Sequence, residues 1–252
     1  MAKEMIGELE LNRIYQRDCI EGMRMLPDKS IDMILCDLPY GTTRNKWDSI
    51  IPLDALWEQY KRIIKDNGAI VLTAAPPFNA ILGASNIGWY RYEWIWDKKL
   101  GSGSLNVKKV PLKRHENILV FYKKAPTYNP QMRKGKFRNK STSKPSSNKG
   151  NYGEIRHVKD NFNDDYYPTT ILEFSNANVR DRVHPTQKPV ALFEYLIKTY
   201  TIEGEIVLDN CMGSGTTAVA AVRTGRKFIG FEREHEYVEI ANKRLDNETE
   251  AN

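Results

Sequence analysis

Short apolar runs, each closed by an acid or a proline, alternate with amphipathic stretches along most of this chain. The run from Ile31 to Cys36 stops at Asp37, that from Ala69 to Ala75 at Pro76, that from Glu205 to Leu208 at Asp209, and that from Phe228 to Phe231 at Glu232. Between them lie helical repeats. Leu56, Tyr60, Ile63 and Ile64 share one face, as do Leu192, Phe193, Leu196 and Ile197, and Tyr237, Val238, Ile240, Ala241 and Leu245 close the series. Alternation of this kind admits few architectures: an α/β layer structure with a buried sheet. In open α/β sheets ligands bind beyond the carboxyl ends of the strands, so the residues that close the runs are the first candidates for a site.

Two of these closures carry chemistry. Asp37-Leu38-Pro39-Tyr40 places a carboxylate, a rigid turn and an aromatic ring together. Pro39 fixes its own φ and keeps Leu38 extended, so the Leu38 carbonyl cannot swing freely. An exocyclic amine offers two hydrogens and needs two acceptors, which the Asp37 carboxylate and the Leu38 carbonyl supply, with Tyr40 stacked on the ring that bears the amine. The plain alternative is a turn that ends a strand. The second closure, Asp209-Asn210-Cys211-Met212-Gly213-Ser214-Gly215, leads into a helix. Strand, glycine loop and helix in that order cradle a cofactor, because Gly213 and Gly215 admit close backbone approach and the helix presents free N–H groups. A nucleoside triphosphatase loop would need Lys after Gly215, where Thr216 stands, and a dinucleotide loop would need a third glycine. Glu232 at the next strand end suits the hydroxyls of an adenosine ribose, or simply the start of a helix. Asp18, with Glu21 three positions on, reads as a capping box and equally as an acceptor for an adenine amine.

The 252 residues, 40% of them hydrophobic, suit one core with an insertion. A net charge of +6 and a pI near 9.0 suit a polyanionic partner. Cys19, Cys36 and Cys211 are scattered and odd in number, which supports neither a disulfide framework nor a metal site and fits a reduced cytoplasm. No apolar run is long enough to span a bilayer and no signal peptide is visible. The first eight residues read as a frayed tail, Leu9 to Arg17 as one strand, Gly68 as the end of the helix begun at Pro52, and Lys98 to Ser104 as a mobile loop near the active edge. His115 reads as structural.

Composition changes at Lys123. From there to Lys159 eleven basic residues face one acid, Glu154, with Tyr128, Phe137 and Tyr152 interleaved, and serine, asparagine and glycine fill Ser141 to Asn151. A basic, aromatic-spotted insertion, disordered in part until bound, is suited to phosphate contact and base stacking. Order resumes at Thr170, and His184-Pro185-Thr186-Gln187-Lys188-Pro189 opens a further helix with Pro189 at its start.

Asp37-Leu38-Pro39-Tyr40 resembles the Asp-Pro-Pro-Tyr motif of the amino-group DNA methyltransferases, with Leu38 in place of a proline whose carbonyl it retains. The hexapeptide at His184 resembles the tenth motif of the same enzymes, and Asp209 to Gly215 resembles the first motif of S-adenosylmethionine enzymes. In this order the chain is similar to the β class of amino-DNA methyltransferases over nearly its full length outside the insertion. That resemblance implies a doubly wound, mostly parallel, seven-stranded Rossmann-like sheet. It also implies a core of residues 1–122 and 183–252, a target-recognition insertion of residues 123–182, and S-adenosylmethionine as cofactor. Asp37, Leu38, Pro39 and Tyr40 would be catalytic. Asp18, Thr186, Lys188, Asp209, Met212, Gly213, Gly215 and Glu232 would hold the cofactor, Thr186 and Lys188 at its methionine part. The substrate would be double-stranded DNA, methylated at adenine N6 within a specific short site after base flipping, since members that act on cytosine N4 more often carry Ser at the position of Asp37. Cytosine N4 methylation, methylation of RNA or a protein amide, and a silent nucleic-acid-binding module are the alternatives. A homodimer and a cognate restriction endonuclease both fit the family.

Overall fold

A computed structural model describes residues 3–41, 48–140, 149–150, 153–154, 161–176 and 187–250. Thr186 and most of the Ser141 to Asn151 segment lie outside the described residues. The chain forms two compact units, Met1–Asn129 with Thr170–Asn252, and Pro130–Thr169.

The larger unit begins with a two-stranded ribbon, β1 (Met5–Ile6) and β2 (Leu9–Glu10), followed by β3 (Arg13–Gln16), α1 (Cys19–Arg24) and β4 (Ile31–Asp37). After β4 come α2 (Leu53–Ile63), β5 (Ile64–Ala74), α3 (Phe78–Ser85), β6 (Tyr90–Ser102) and β7 (Lys113–Phe121). The smaller unit holds β8 (Arg133–Lys140), β9 (Lys149–Gly150), β10 (Gly153–Glu154) and β11 (Asn161–Tyr166). The larger unit resumes with β12 (Ile171–Glu173), α4 (Val190–Tyr200), β13 (Ile206–Asp209), α5 (Thr216–Arg223), β14 (Lys227–Glu232) and α6 (His235–Glu250).

The α/β architecture read from the sequence is present, with a mixed, mostly parallel sheet in the order β12-β6-β7-β5-β4-β13-β14-β3. The seven expected strands run from β6 to β3, and β12 adds an eighth, parallel to β6. Among the described strands of this sheet, only β7 runs against its neighbours, β5 and β6, as the short β6–β7 connection requires. Both sheet faces are covered: Ile34, Cys36, Leu72 and Leu208 pack into one cluster, and Met33, Leu35, Val71 and Val207 into another. This two-sided burial is why the strands read as unbroken apolar runs and not as alternating ones.

Four local expectations are corrected. The amino-terminal residues are not a frayed tail, because Ile6 and Leu9 are buried and Met5–Ile6 pairs with Leu9–Glu10. Leu9 to Arg17 is not one strand; Asn12 at φ 60° breaks it, a conformation that asparagine tolerates. Gly68 does not end α2, which stops at Ile63 and passes directly into β5; a Cβ at Gly68 would lie 2.7 Å from the Asp32 carbonyl oxygen, so glycine there serves close strand approach. Lys98 to Ser104 is not a loop throughout, since β6 runs on to Ser102.

Candidate active site

The carboxyl ends of five neighbouring strands line up, and each brings a polar residue. Asp37 ends β4 and faces Thr73 of β5 in register; Asp209 ends β13 opposite Gly230; Glu232 ends β14 opposite Gln16 of β3, and Asp18 follows two residues later. Strand order departs from chain order between β4 and β13, so Asp37 and Asp209 flank the switch point where α/β sheets open a crevice. A cavity of about 480 Å³ lies there, within the range usual for small-molecule sites. Asp18, Asp37, Leu38, Pro39, Tyr40, Lys188, Asp209, Met212, Gly213 and Glu232 all line it. Gly215 does not. It caps α5 at φ +83°, and a Cβ there would meet the Ala241 Cβ at 2.9 Å, so it serves the packing of α5 on α6.

Around Asp37 the side chains form a closed set. Oδ1 accepts from the Tyr40 hydroxyl at 2.8 Å and from the Thr73 hydroxyl, and Oδ2 accepts from Lys188 Nζ at 2.6 Å. Tyr40 does not stand clear for stacking in this arrangement: its ring stacks on Phe78 with centroids 5.5 Å apart, and Lys188 Nζ lies 5.6 Å from its centroid. Burial, followed by the charge of Asp37, pushes the Tyr40 phenol well above its ordinary range, so the hydroxyl donates and does not ionise. Lys188 is buried and also lies 3.5 Å from Glu116 Oε2, while Lys98 Nζ pairs with Glu116 Oε1 at 3.2 Å. Burial pulls the Lys188 ammonium down, but Asp37 and Glu116 outweigh it and hold the group above the usual lysine range. Thr73, Glu116 and Lys98 were not singled out in the sequence; the one available signal was the polar His115-Glu116-Asn117 at the mouth of an apolar strand.

In the cofactor half, Asp209 accepts from the Cys211 amide at 3.0 Å and from the Thr217 hydroxyl, which ties the glycine loop to the first turn of α5. Burial pushes its carboxyl up to about 6 against the opposing hydrogen bonds. Glu232 accepts from the amides of Gly213 at 2.7 Å and Glu234 at 2.9 Å, and burial raises it as well. Asp18 caps α1 as expected, but Oδ1 alone accepts from both Ile20 and Glu21 amides, leaving Oδ2 for another donor. A Cβ at Gly213, which adopts φ +52°, would find no atom closer than the Cys211 carbonyl oxygen at 4.0 Å. The loop thus turns bare backbone to the cavity. A donor-rich, adenosine-bearing ligand fits this set of acids and open backbone. Cys19, Cys36 and Cys211, scattered in sequence, meet here, with the Cys211 thiol in hydrogen-bonding reach of both others. Among the described residues no group of side chains could hold a metal ion.

The DNA methylase family of N6/N4 type matches residues 31–243 of this chain. The chain belongs to that family. The methylase is 30% identical to the type II methyltransferase M1.MboII of Moraxella bovis, over 93% of this chain and 96% of that protein. It is also 30% identical to the type II methyltransferase M.HpaI of Haemophilus parainfluenzae, over 94% and 74%. Its fold is similar to that of M1.HpyAVI in complex with S-adenosylmethionine, with a TM-score of 0.63 and 25% identity over 92% of this chain and 99% of that one. The PvuII cytosine-N4 DNA methyltransferase shares the fold, with a TM-score of 0.68 at 19% identity over 92% and 85%. S-adenosylmethionine is the methyl donor of the family, and DNA is its substrate.

The methylase's smaller unit, Pro130–Thr169, lies within the basic segment read from the sequence. It is built on the antiparallel pair β8 and β11, with Phe137 and Phe162 exposed. Its charge is more balanced than the run of basic residues implies. Lys134 pairs with Asp164 at 2.8 Å and Asp165 at 2.9 Å, and Arg138 stacks on Tyr166 at 4.2 Å while donating to Asn163. No helix among the described residues is long and apolar enough to cross a membrane.

Proposed function

We propose that this protein methylates adenine N6 in double-stranded DNA, at a specific short site and on a base drawn out of the helix, as a β-class enzyme. The observation that carries this reading is that the Asp37-Leu38-Pro39 turn and the acids Asp18 and Glu232 open on one cavity at the sheet's switch point. A carboxylate at the first position of the turn, where a hydroxyl is the commoner choice for cytosine N4, favours adenine. The cofactor would lie against the Asp18 Oδ2 oxygen with its adenine amine, Glu232 with its ribose hydroxyls, and the backbone at Met212 and Gly213. Lys188 and Thr186 would stand towards its methionine part.

S-adenosylmethionine, when bound, supplies an electrophilic methyl group on a sulfonium. The lone pair of the adenine amine is delocalised into the ring, which makes it a poor nucleophile. Asp37 and the Leu38 carbonyl, by accepting the two amine hydrogens, concentrate that pair on nitrogen. Base entry requires Asp37 to exchange a partner. Glu116 Oε2, buried and otherwise without a hydrogen bond, stands ready to take up Lys188 as Asp37 turns to the base. Asp37 is then the nearest base for the proton that the methylated nitrogen sheds. Direct transfer needs no covalent enzyme intermediate, so none of the three cysteines has to act. Holding donor and acceptor in line supplies much of the rate.

The basic face of the smaller unit would contact phosphates, with Phe137 and Phe162 available to bases. The type II relatives make a role beside a restriction endonuclease part of the same reading. The deciding experiment is methyl transfer from labelled cofactor to duplex DNA, RNA and protein, followed by digestion of the DNA to nucleosides. N6-methyladenine is expected; N4-methylcytosine alone would overturn the choice of base, and label only in RNA or protein would overturn the substrate.

A further inference from the structure

Beyond the sheet edge, β6 and β7 continue as an arm that the chemistry above does not use. Residues 99–115 are exposed without a break. Among them Leu105 is 99% exposed, and Leu100, Val107, Val110 and Leu112 are each about half exposed or more. A lone surface leucine means nothing, but five large apolar side chains within one short excursion form a patch. The arm is shaped, not loose. Ser102 pairs with Lys113, the Ser102 hydroxyl donates to the Lys113 carbonyl at 3.1 Å, and a Cβ at Gly101 would meet Leu112 at 2.8 Å, so the two limbs touch. A single helical turn, Ser104–Asn106, forms the tip, and the Lys109 and Val110 amides donate back to the Asn106 carbonyl. At the root, Arg114 grips Asp97 with two hydrogen bonds of 2.8 Å.

Charge identifies what this patch meets. No acid stands between Asp97 and Glu116, while Lys98, Lys99, Lys108, Lys109, Lys113 and Arg114 all do. Two such arms facing each other would repel, which disfavours a second copy of this chain. A polyanion with an apolar interior fits, and a DNA duplex whose bases have been parted is one. The arm is also in the right place, because Lys98, Ser102 and Lys113 line the same cavity as Asp37 and Tyr40.

We propose that this arm is a wedge for duplex DNA. Leu105 at its tip enters the base stack beside the extruded base, and Lys108 and Lys109 hold the flanking phosphates. Apolar side chains inserted between base steps offset the unstacking that extrusion demands. The proposal rests on the DNA-methylation reading but assigns that reading a new contact.

Two measurements on the full chain test it. With a photo-crosslinking benzophenone side chain at position 105, irradiation in the presence of unmethylated plasmid duplex should join the protein to DNA. An adduct with a second copy of the chain, or none, overturns the wedge. In the other, Leu105→Ser, which disturbs no packing, is assayed for labelled methyl incorporation into the same plasmid as duplex and after strand separation. Incorporation into duplex should fall about tenfold, while that into single strands, where no stack has to be opened, should change less than about twofold. An equal fall on both substrates, or no fall on duplex, overturns the wedge. If the wild-type protein labels neither, the methylation reading fails instead, and the crosslink still decides the arm.

Discussion

Lys188 Nζ lies 2.6 Å from Asp37 Oδ2, joining two residues 151 positions apart in the chain. The lysine is buried and Asp37 is partly so, hence neither charge is well served by water if the other is removed. Lys188→Met should therefore destabilise the fold by about 3 kcal/mol, the order expected when one partner of a buried pair is lost. Adding Asp37→Asn to Lys188→Met should restore most of that. Urea unfolding of both variants tests it: a Lys188→Met protein with the wild-type midpoint would show that the pair carries no stability.

Asp37→Ala should abolish methyl transfer and leave S-adenosylmethionine binding within about threefold, since the contacts proposed above for its adenosine, Asp18, Met212, Gly213 and Glu232, belong to other strand ends. Titration calorimetry beside a transfer assay separates the two. Loss of both together would mean that the turn holds the cofactor as well.

Tyr40→Phe keeps the ring on Phe78 and removes one of two donors to Asp37 Oδ1, so its cost in turnover should stay below about tenfold, near that of one hydrogen bond. Tyr40→Ala removes the ring and should cost about a hundredfold or more. Equal rates for the two variants would rule out a role for the ring.

Asp209 gives a pH dependence. Its carboxyl is raised to about 6 in the fold, against about 3.9 for an unfolded aspartate. Between these values the folded chain keeps a proton that the unfolded chain has released. The stability linked to this group is thus present in full below about 4 and is lost as pH rises through about 6. Asp209→Asn cannot titrate there. The melting temperature of wild type minus that of Asp209→Asn should be higher at about pH 4.5 than at about pH 7.5, other carboxylates cancelling in the difference. A difference that is flat, or that rises with pH, contradicts the buried-carboxyl account.

For DNA binding, the structure divides the lysines of the smaller unit. Lys134 is held by Asp164 and Asp165, whereas Lys136 has no such partner among the described residues. Lys136→Ala should lower the slope of log affinity against log salt by up to about 0.9, and Lys134→Ala by clearly less. Equal slopes for both variants would place phosphate contact elsewhere.

Strand ends were legible because a buried parallel strand leaves an apolar run that stops abruptly, and Asp37, Asp209 and Glu232 sit at such stops. Asp18 was legible through local helix capping. What surrounds Asp37 was not, because Thr73 reaches it from β5 and Lys188 from just before α4, with Glu116 of β7 behind Lys188, and strand order is a property of the sheet alone. The meeting of Cys19, Cys36 and Cys211 was hidden for the same reason. Gly68 and Gly215 misled in a common way: a glycine chosen for close packing against another element looks, in one dimension, like a glycine chosen for a turn or a ligand.

The place of β3 in the sheet has a consequence for how the protein is made. Among the described residues its only sheet neighbour is β14, and Arg13 pairs with Ile229. As the chain leaves the ribosome, β3 emerges well before β14 and cannot dock until that strand has been made, and β4 likewise lacks β13 on one side until β13 follows it. Long-range pairing of this kind slows folding and leaves apolar edges bare meanwhile. A chain cut short by translation or proteolysis before Lys227 should lose more than β14 and α6: β3 would have nowhere to go.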